Sequence, residues 1–334
     1  IEAHVGYQVH PGEIVITPVD LIYAHDWSGP LTIARFHEMG FTTVRHPEKV
    51  AFFLDHSSPS SSREIATLHN LLRDFAREHE CRLFDVGEGV CHVLVAEYLA
   101  RPGDVIIGAD SHTCMAGAFG AFATGMGATD VAVALALGQT WIKVPGTIAV
   151  NVHGRLPHGV YAKDLILSVI GRLGADGAEY KCLEFIGEGV ESLPMEERLV
   201  LTNMAVEAGA KCGLIPTDEE TRRALEERGR GETFQPLRSD PDAVYDAVIE
   251  IEANSLEPMV ALPHRVDNVR PISHPECQDV RIDQVYIGSC TNGRFEDLKV
   301  AAEILRGRRI APGTRLIVTP GSREVYRRAL QTGL

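Results

Sequence analysis

The sequence predicts an α/β protein with much parallel strand pairing. Short apolar runs alternate with segments of helical periodicity along the chain, the pattern of strands joined by crossover helices. Two polar groups, Asp55-His56 and Asp110-Ser111-His112, directly follow such apolar runs. Ligand groups gather at strand ends in folds of this class.

The elements follow in order. Glu13 to Val19 reads as a strand. Ala51 to Leu54 is a short apolar run that stops at Asp55-His56. Ser62 to Glu80 has helical periodicity with mixed charge on its outer side. Arg82 to Val86 and Asp104 to Ile107 read as strands, the second running into Gly108-Ala109-Asp110-Ser111-His112. Residues 113–138 are rich in Gly and Ala. Gly117, Gly120, Gly125 and Gly127 do not follow the strand–turn–helix order of a dinucleotide fingerprint, so close backbone packing around a site is expected there.

After Val144-Pro145-Gly146 the composition changes. Thr147 to Val152 reads as a strand opening a second unit. Asp218 to Asp242 is charged and punctuated by Gly and Pro, which predicts a solvated surface region. Residues 263–281 carry Pro263, Pro271 and Pro275 and read as a linker. Val285-Tyr286-Ile287 reads as a buried strand opening a third unit. The expected domains are 1–146, 147–266 and an incomplete third, 267–334. No internal repeat is visible.

Composition narrows the function classes. The net charge is −14, whereas a nucleic-acid binder normally presents a basic face. An anionic substrate would need local positive charge. No apolar run approaches the ~18–20 residues that span a bilayer; the longest, Val131 to Leu137, is short. Seven cysteines are scattered without CxxC spacing, which argues for a reducing compartment and hence the cytoplasm. No leader pattern is read, and the translational start is expected upstream of Ile1.

The pentapeptide Gly288 to Asn292, GSCTN, is the most specific local signal. Cys290 sits after a strand, in a turn, between the hydroxyls of Ser289 and Thr291. Such donors stabilise negative charge on sulfur. A lone cysteine is usually structural, but other groups accompany this one. They are Asp55-His56, Cys91-His92, Asp110-Ser111-His112, and Asn203 with Glu207, four apart and so on one helical face. Dehydration of a β-hydroxy acid removes a carbon-bound proton and expels hydroxide, which calls for a Lewis acid and an oriented proton donor. Imidazoles beside carboxylates supply such donors, because the carboxylate fixes the tautomer and raises the imidazole pKa.

The ordered segments AHDWSGP, LDHSSP, EGVCH, GADSHTCMAGAFGAFATGMGATD, NMAVEAGAK, GSCTNGRFEDL and VTPGSREVY resemble the aconitase superfamily over nearly the whole chain. The likeness is greatest to its large subunits that isomerise isopropylmalate or homoaconitate. The resemblance implies an aconitase-like fold, with three α/β domains around a central cleft, and a [4Fe-4S] cluster held by three cysteines. By match, Cys290 is the first ligand, and the other two are expected beyond Leu334. Asp55 and His56 match the acid pair that handles the leaving hydroxyl; His92 with Asp110, and His112 with Glu207, match the other His–carboxylate pairs. Ser111 matches a substrate contact. His25 falls where aconitases carry a substrate-contacting glutamine, and Asp26 beside it is expected to share that role. Asn203 and Asn292 are expected around the cluster.

The resemblance also implies a separate small subunit that carries the swivelling domain, the proton-abstracting base and the specificity loop, in a heterodimer or heterotetramer. The expected reaction interconverts 2- and 3-isopropylmalate in leucine biosynthesis. Homoaconitate, citramalate- and dimethylmalate-type acids are alternatives. A cluster-free RNA-binding regulator and a bare α/β binding scaffold are the rival classes. The acidic balance counts against the first, the number of ordered matches against the second.

Overall fold

The computed structural model describes residues 1–334. Five parallel strands, Leu21–His25, Val50–Phe53, Arg82–Phe84, Val105–Gly108 and Phe122–Gly125, form the first sheet. Leu21–His25 lies at its centre. The chain adds Val50–Phe53 and then Arg82–Phe84 on one side, and crosses to add Val105–Gly108 and Phe122–Gly125 on the other. The reversal leaves a crevice at the carboxyl ends of Leu21–His25 and Val105–Gly108, the position where such sheets bind ligands.

The three central strands are buried along their whole length, because helices cover both faces. Ile33, Phe36, Leu72, Phe75, Val131 and Leu135, from three helices, pack on Ile22, Phe52 and Ile107. Leu94, Met115 and Phe119 pack on Tyr23, Phe53 and Ile106 from the other side. An antiparallel pair, Ile14–Pro18 with Gln139–Lys143, lies beside this unit.

A second sheet of four parallel strands, Gly146–His153, Lys181–Ile186, Cys212–Leu214 and Ala247–Glu252, buries the largest apolar core, with the helix Ala162–Leu173 against it. A third unit pairs Gln284–Ile287 with Arg315–Val318 in parallel.

Three expectations are revised. Val285 and Tyr286 are 36% and 54% exposed, not buried. Their strand has one neighbour, and Phe295, Leu298 and Val325 are the whole core beneath it. The segment from Asp218 is not all solvated: Glu219–Glu226 is a helix with a capping box from Asp218 and Thr221, and its Ala224 and Leu225 are buried. Within 263–281, Val269–Pro271 pairs with Met259–Ala261.

The glycine-rich segment packs as its composition suggests. A Cβ on Gly117 would lie 1.7 Å from the Gly213 carbonyl oxygen, and one on Gly125 would lie 2.5 Å from the Asp110 oxygen. Backbone approaches this close exclude any side chain.

Candidate active site

The polar groups of the first unit stand where its strands stop. His25 ends the central strand. Asp55 and His56 lie just past Val50–Phe53. Cys91 and His92 open the short helix Cys91–Leu94. Asp110 follows Val105–Gly108 and caps the 3-10 helix Ser111–Phe119, its carboxylate accepting the His112 N–H at 2.7 Å.

Asp110 is the hub. One carboxylate oxygen lies 2.9 Å from His92 Nε2 and 3.7 Å from His112 Nδ1; the other lies 3.3 Å from His25 Nε2 and 3.9 Å from His56 Nε2. Four imidazoles thus surround one carboxylate. Burial opposes its charge, but the hydrogen bonds from His112, His25 and His92 hold its carboxyl far below the usual range.

The imidazoles differ in protonation. His92 is fully buried, and burial pulls its pKa down despite Asp110. Its Nε2 donates to Asp110, so its Nδ1 accepts the Tyr23 hydroxyl at 2.8 Å. His112 is pushed up to about 10 by its bonds to Asp110 and Glu207; its Nε2 is 3.4 Å from Glu207. His56 loses stability of its charge to burial, but the hydrogen bond and charge of Asp55, with Asp110 beyond, raise its pKa. Asp55 is held down in return, its burial outweighed by His56 and by the Cys91 N–H at 2.7 Å.

Asp26 takes a place that sequence reasoning does not anticipate. It is 1% exposed, and both of its oxygens are engaged by protein donors. The N–H groups of His56 and Ser57 donate at 2.9 Å each, and His69 Nε2 lies at 3.0 Å. It anchors the loop that carries His56. Ser111 is exposed, 3.4 Å from His112 Nδ1. It borders a cavity of about 450 Å³ that Lys143, Tyr180 and Lys211 also line. These lysines supply local positive charge in an acidic chain.

Asn203 and Glu207 do not share one regular helical face. The α-helix ends at Asn203 and tightens into a 3-10 turn, Met204–Ala208. Glu207 reaches His112, whereas the Asn203 amide donates to Cys290 Sγ at 3.3 Å. The Thr291 hydroxyl donates to Asn203 Oδ1 at 2.8 Å and so orients that amide. Asn292 turns its amide nitrogen to Asp297 at 2.8 Å. Sequence reasoning passes over Tyr23, His69, Lys163 and Arg294. Lys163 is half-hidden, and burial lowers its pKa against the charges of Asp297, Cys290 and Glu207.

Ligand atoms of His92, His112 and Cys290 lie within 4.8 Å of one another. Both ring nitrogens of His92 are already engaged, and those of His112 face Asp110 and Glu207, so the free soft donor is the thiol. One partly exposed thiol with an amide aimed at its sulfur fits a single thiolate corner of an iron–sulfur cluster. Cys91, Cys114, Cys182 and Cys212 are buried.

Residues 1–334 match the sequence profile of the aconitase family (aconitate hydratase). The chain is 52% identical over 331 residues to the 3-isopropylmalate dehydratase large subunit 1 of Thermotoga maritima, covering 99% of this chain and 79% of that protein. It is 52% identical over 334 residues to the 3-isopropylmalate dehydratase large subunit of Elusimicrobium minutum, covering 100% and 79%. To the large subunit from Moorella thermoacetica it is 48% identical over 339 residues, covering 100% and 80%. With a family match along its full length and relatives half identical to it, the chain belongs to the aconitase family.

Proposed function

We propose that this chain is the large subunit of a hydro-lyase that interconverts 2-isopropylmalate and 3-isopropylmalate by dehydration and rehydration, in leucine biosynthesis. The observation that carries the reading is the Asp110 hub of four imidazoles, set in a chain half identical to large subunits of that name.

His56 is the proton donor in this reading. Its pairing with Asp55 favours the charged imidazolium, and its Nε2 faces the cleft beside Asp110. The substrate C–O bond breaks with its electron pair on oxygen. That oxygen takes the His56 proton and leaves as water. The adjacent carbon gives its proton to a base, and the C–H electrons become the new C=C bond. Rehydration at the other carbon completes the isomerisation. His112, kept charged by Asp110 and Glu207, supplies positive charge beside the anionic oxygens of the substrate. Ser111 adds a hydroxyl donor and His25 an edge of the pocket. Tyr23 and His92 hold Asp110 in place.

The family's cofactor is a [4Fe-4S] cluster, which when bound supplies a Lewis-acidic iron to the substrate hydroxyl. Cys290 would hold one of its irons, with Asn203 donating to the sulfur and Asn292 bracing the turn; the other thiolates would lie outside residues 1–334. The relatives' names, large subunit, imply a small-subunit partner. We assign the carbon-proton base and the swivelling domain to it. No helix is long and apolar enough to cross a membrane, and we place the enzyme in the cytoplasm.

The test is co-expression with the small subunit, anaerobic reconstitution, and assay of hydration of the unsaturated acid. Turnover of isopropylmalate by the pair, and none by the large subunit alone, is expected. Turnover of homoaconitate with none of isopropylmalate would overturn the substrate. Robust turnover by the large subunit alone would overturn the division of labour.

A further inference from the structure

We infer that His69 is a positioning residue for the acid pair, acting through Asp26 on the backbone of His56 and Ser57. The inference rests on the reading of Asp55-His56 as the pair that protonates the leaving hydroxyl.

The chain of contacts is short and buried. His69 lies on the helix Arg63–Glu78, in the stripe of buried residues His69, Leu72, Phe75 and Ala76. A histidine on an apolar stripe must find a polar partner inside the fold. Here Nε2 meets Asp26 Oδ2 at 3.0 Å, with the two side chains 3% and 0% exposed. An ionised carboxylate only accepts, so Nε2 carries the proton. Asp26 then has three donors on two oxygens. Oδ1 accepts the His56 N–H, and Oδ2 accepts both the Ser57 N–H and His69.

Those two N–H groups belong to the loop that leaves Val50–Phe53. Successive backbone donors converging on one carboxylate fix the loop's direction, and with it the origin of the His56 side chain. The same ring is fixed twice more: Asp55 Oδ1 lies 3.0 Å from Nδ1, and His25 stacks on its face with centroids 3.7 Å apart. The helix bearing His69 is seated firmly. Gly29 lets the helix Gly29–Glu38 approach it so closely that a Cβ there would lie 2.7 Å from Leu72 Cδ2. A rigid helix thus sets where Asp26 points, and Asp26 sets where the loop runs. A partner that orients a reacting group is commonly worth ten- to a hundredfold in activity, as the outer shell of metal ligands illustrates, and small misplacements of a catalytic group cost similar factors.

The test uses the cluster-loaded two-subunit enzyme and four proteins: wild type, His69→Leu, His69→Gln and Asp26→Asn. In His69→Leu, kcat should fall about ten- to a hundredfold with KM within about twofold, and iron content should be retained. His69→Gln, whose amide reaches about as far as Nε2, should recover most of the loss. The double variant His69→Leu/Asp26→Asn should be no worse than Asp26→Asn alone, since the two residues act in series. A second readout needs no turnover. Amide hydrogen exchange across residues 55–57 should accelerate about tenfold in His69→Leu, while exchange across Val50–Phe53 holds.

Unchanged kcat together with unchanged exchange at 55–57 would overturn the inference. So would equal acceleration at Val50–Phe53 with no rescue by glutamine, which marks a general loss of stability. Failure of the wild-type enzyme to hydrate the unsaturated acid would instead sink the functional reading; the exchange result would still decide whether His69 holds the loop.

Discussion

His25 and His56 stack face to face, with ring centroids 3.7 Å apart and an interplanar angle of 14°. The same Asp110 oxygen faces the Nε2 of both rings. The stack joins two strand ends into one acid–base unit.

Asp110→Asn should therefore cost more than the loss of any single imidazole. The amide keeps the shape but removes the charge that four rings share. A fall in kcat of about 10⁴-fold or more is expected, at or beyond the top of the 10²–10⁴ range typical of one general acid or base, with the folded protein recovered in normal yield. Steady-state kinetics on the reconstituted pair decide it. A loss under tenfold would mean that the rings hold their positions without Asp110.

Cys290→Ser should abolish iron binding and activity together. Serine oxygen is a hard donor and a poor substitute for thiolate at an iron–sulfur centre. Serine at Cys81, Cys91, Cys114, Cys182, Cys212 or Cys277 should leave iron and sulfide content near the wild-type value, with at most a packing penalty. Iron and sulfide per protein across the seven variants provide the measurement. Full iron in Cys290→Ser would remove the thiol from the ligand set.

Asp104 predicts a pH dependence of stability away from the site. Burial, with the negative charge of Asp20 added, raises its carboxyl from 3.8 to about 7. The folded state therefore holds a proton that the unfolded chain has released between those two values. Stability contributed by the neutral form is complete below about pH 3.8 and is lost as pH rises through about 7. Asp104→Asn should remove that slope and stabilise the protein at pH 8 by of order 1 kcal/mol, a figure discounted for partial solvent screening. Urea melts at pH 5 and pH 8 would show it; an equal change at both values would contradict it.

Gly117→Ala tests the packing of the glycine-rich segment. The added Cβ falls 1.7 Å from the Gly213 carbonyl oxygen, a backbone atom that cannot swing aside. The cost should be at least about 2 kcal/mol, read as a lower melting temperature. Gly12→Ala, at a left-handed position with nothing within 4 Å, should cost about 1 kcal/mol. Equal penalties would show that close approach is not the reason for glycine at 117.

The strand ends and their polar residues are legible in the sequence because each apolar run stops sharply at a charged or imidazole residue. Asp55-His56 and Asp110-Ser111-His112 show this directly. What stays hidden depends on contacts between distant segments. Asp26 reads as a cleft residue from its place beside His25, yet its charge is consumed by N–H groups thirty residues away. His69 had a usable signal: it falls on the apolar stripe of Leu72, Phe75 and Ala76, where an imidazole needs a buried partner. Tyr23 looks like one more aromatic in a strand, although its hydroxyl donates to His92 Nδ1. Val285-Tyr286-Ile287 misleads in the other direction. Apolar composition marks a strand but says nothing of how many neighbours cover it.

Arg294 gives the thiol turn a mechanical property. Its side chain is buried, with the guanidinium donating to the carbonyls of Cys290 and Thr291 on one side and Glu196 on the other. One planar fork therefore rivets the turn to the start of the helix Met195–Asn203, whose far end carries the Asn203 amide. The sulfur and the amide that faces it belong to different units but share a single frame. Two of the three bonds hold the shape of the turn, and the one to the Glu196 carbonyl crosses between the units, so a force that shifts the third unit must break it. A lysine, with its point charge on a flexible stem, could not span both attachments.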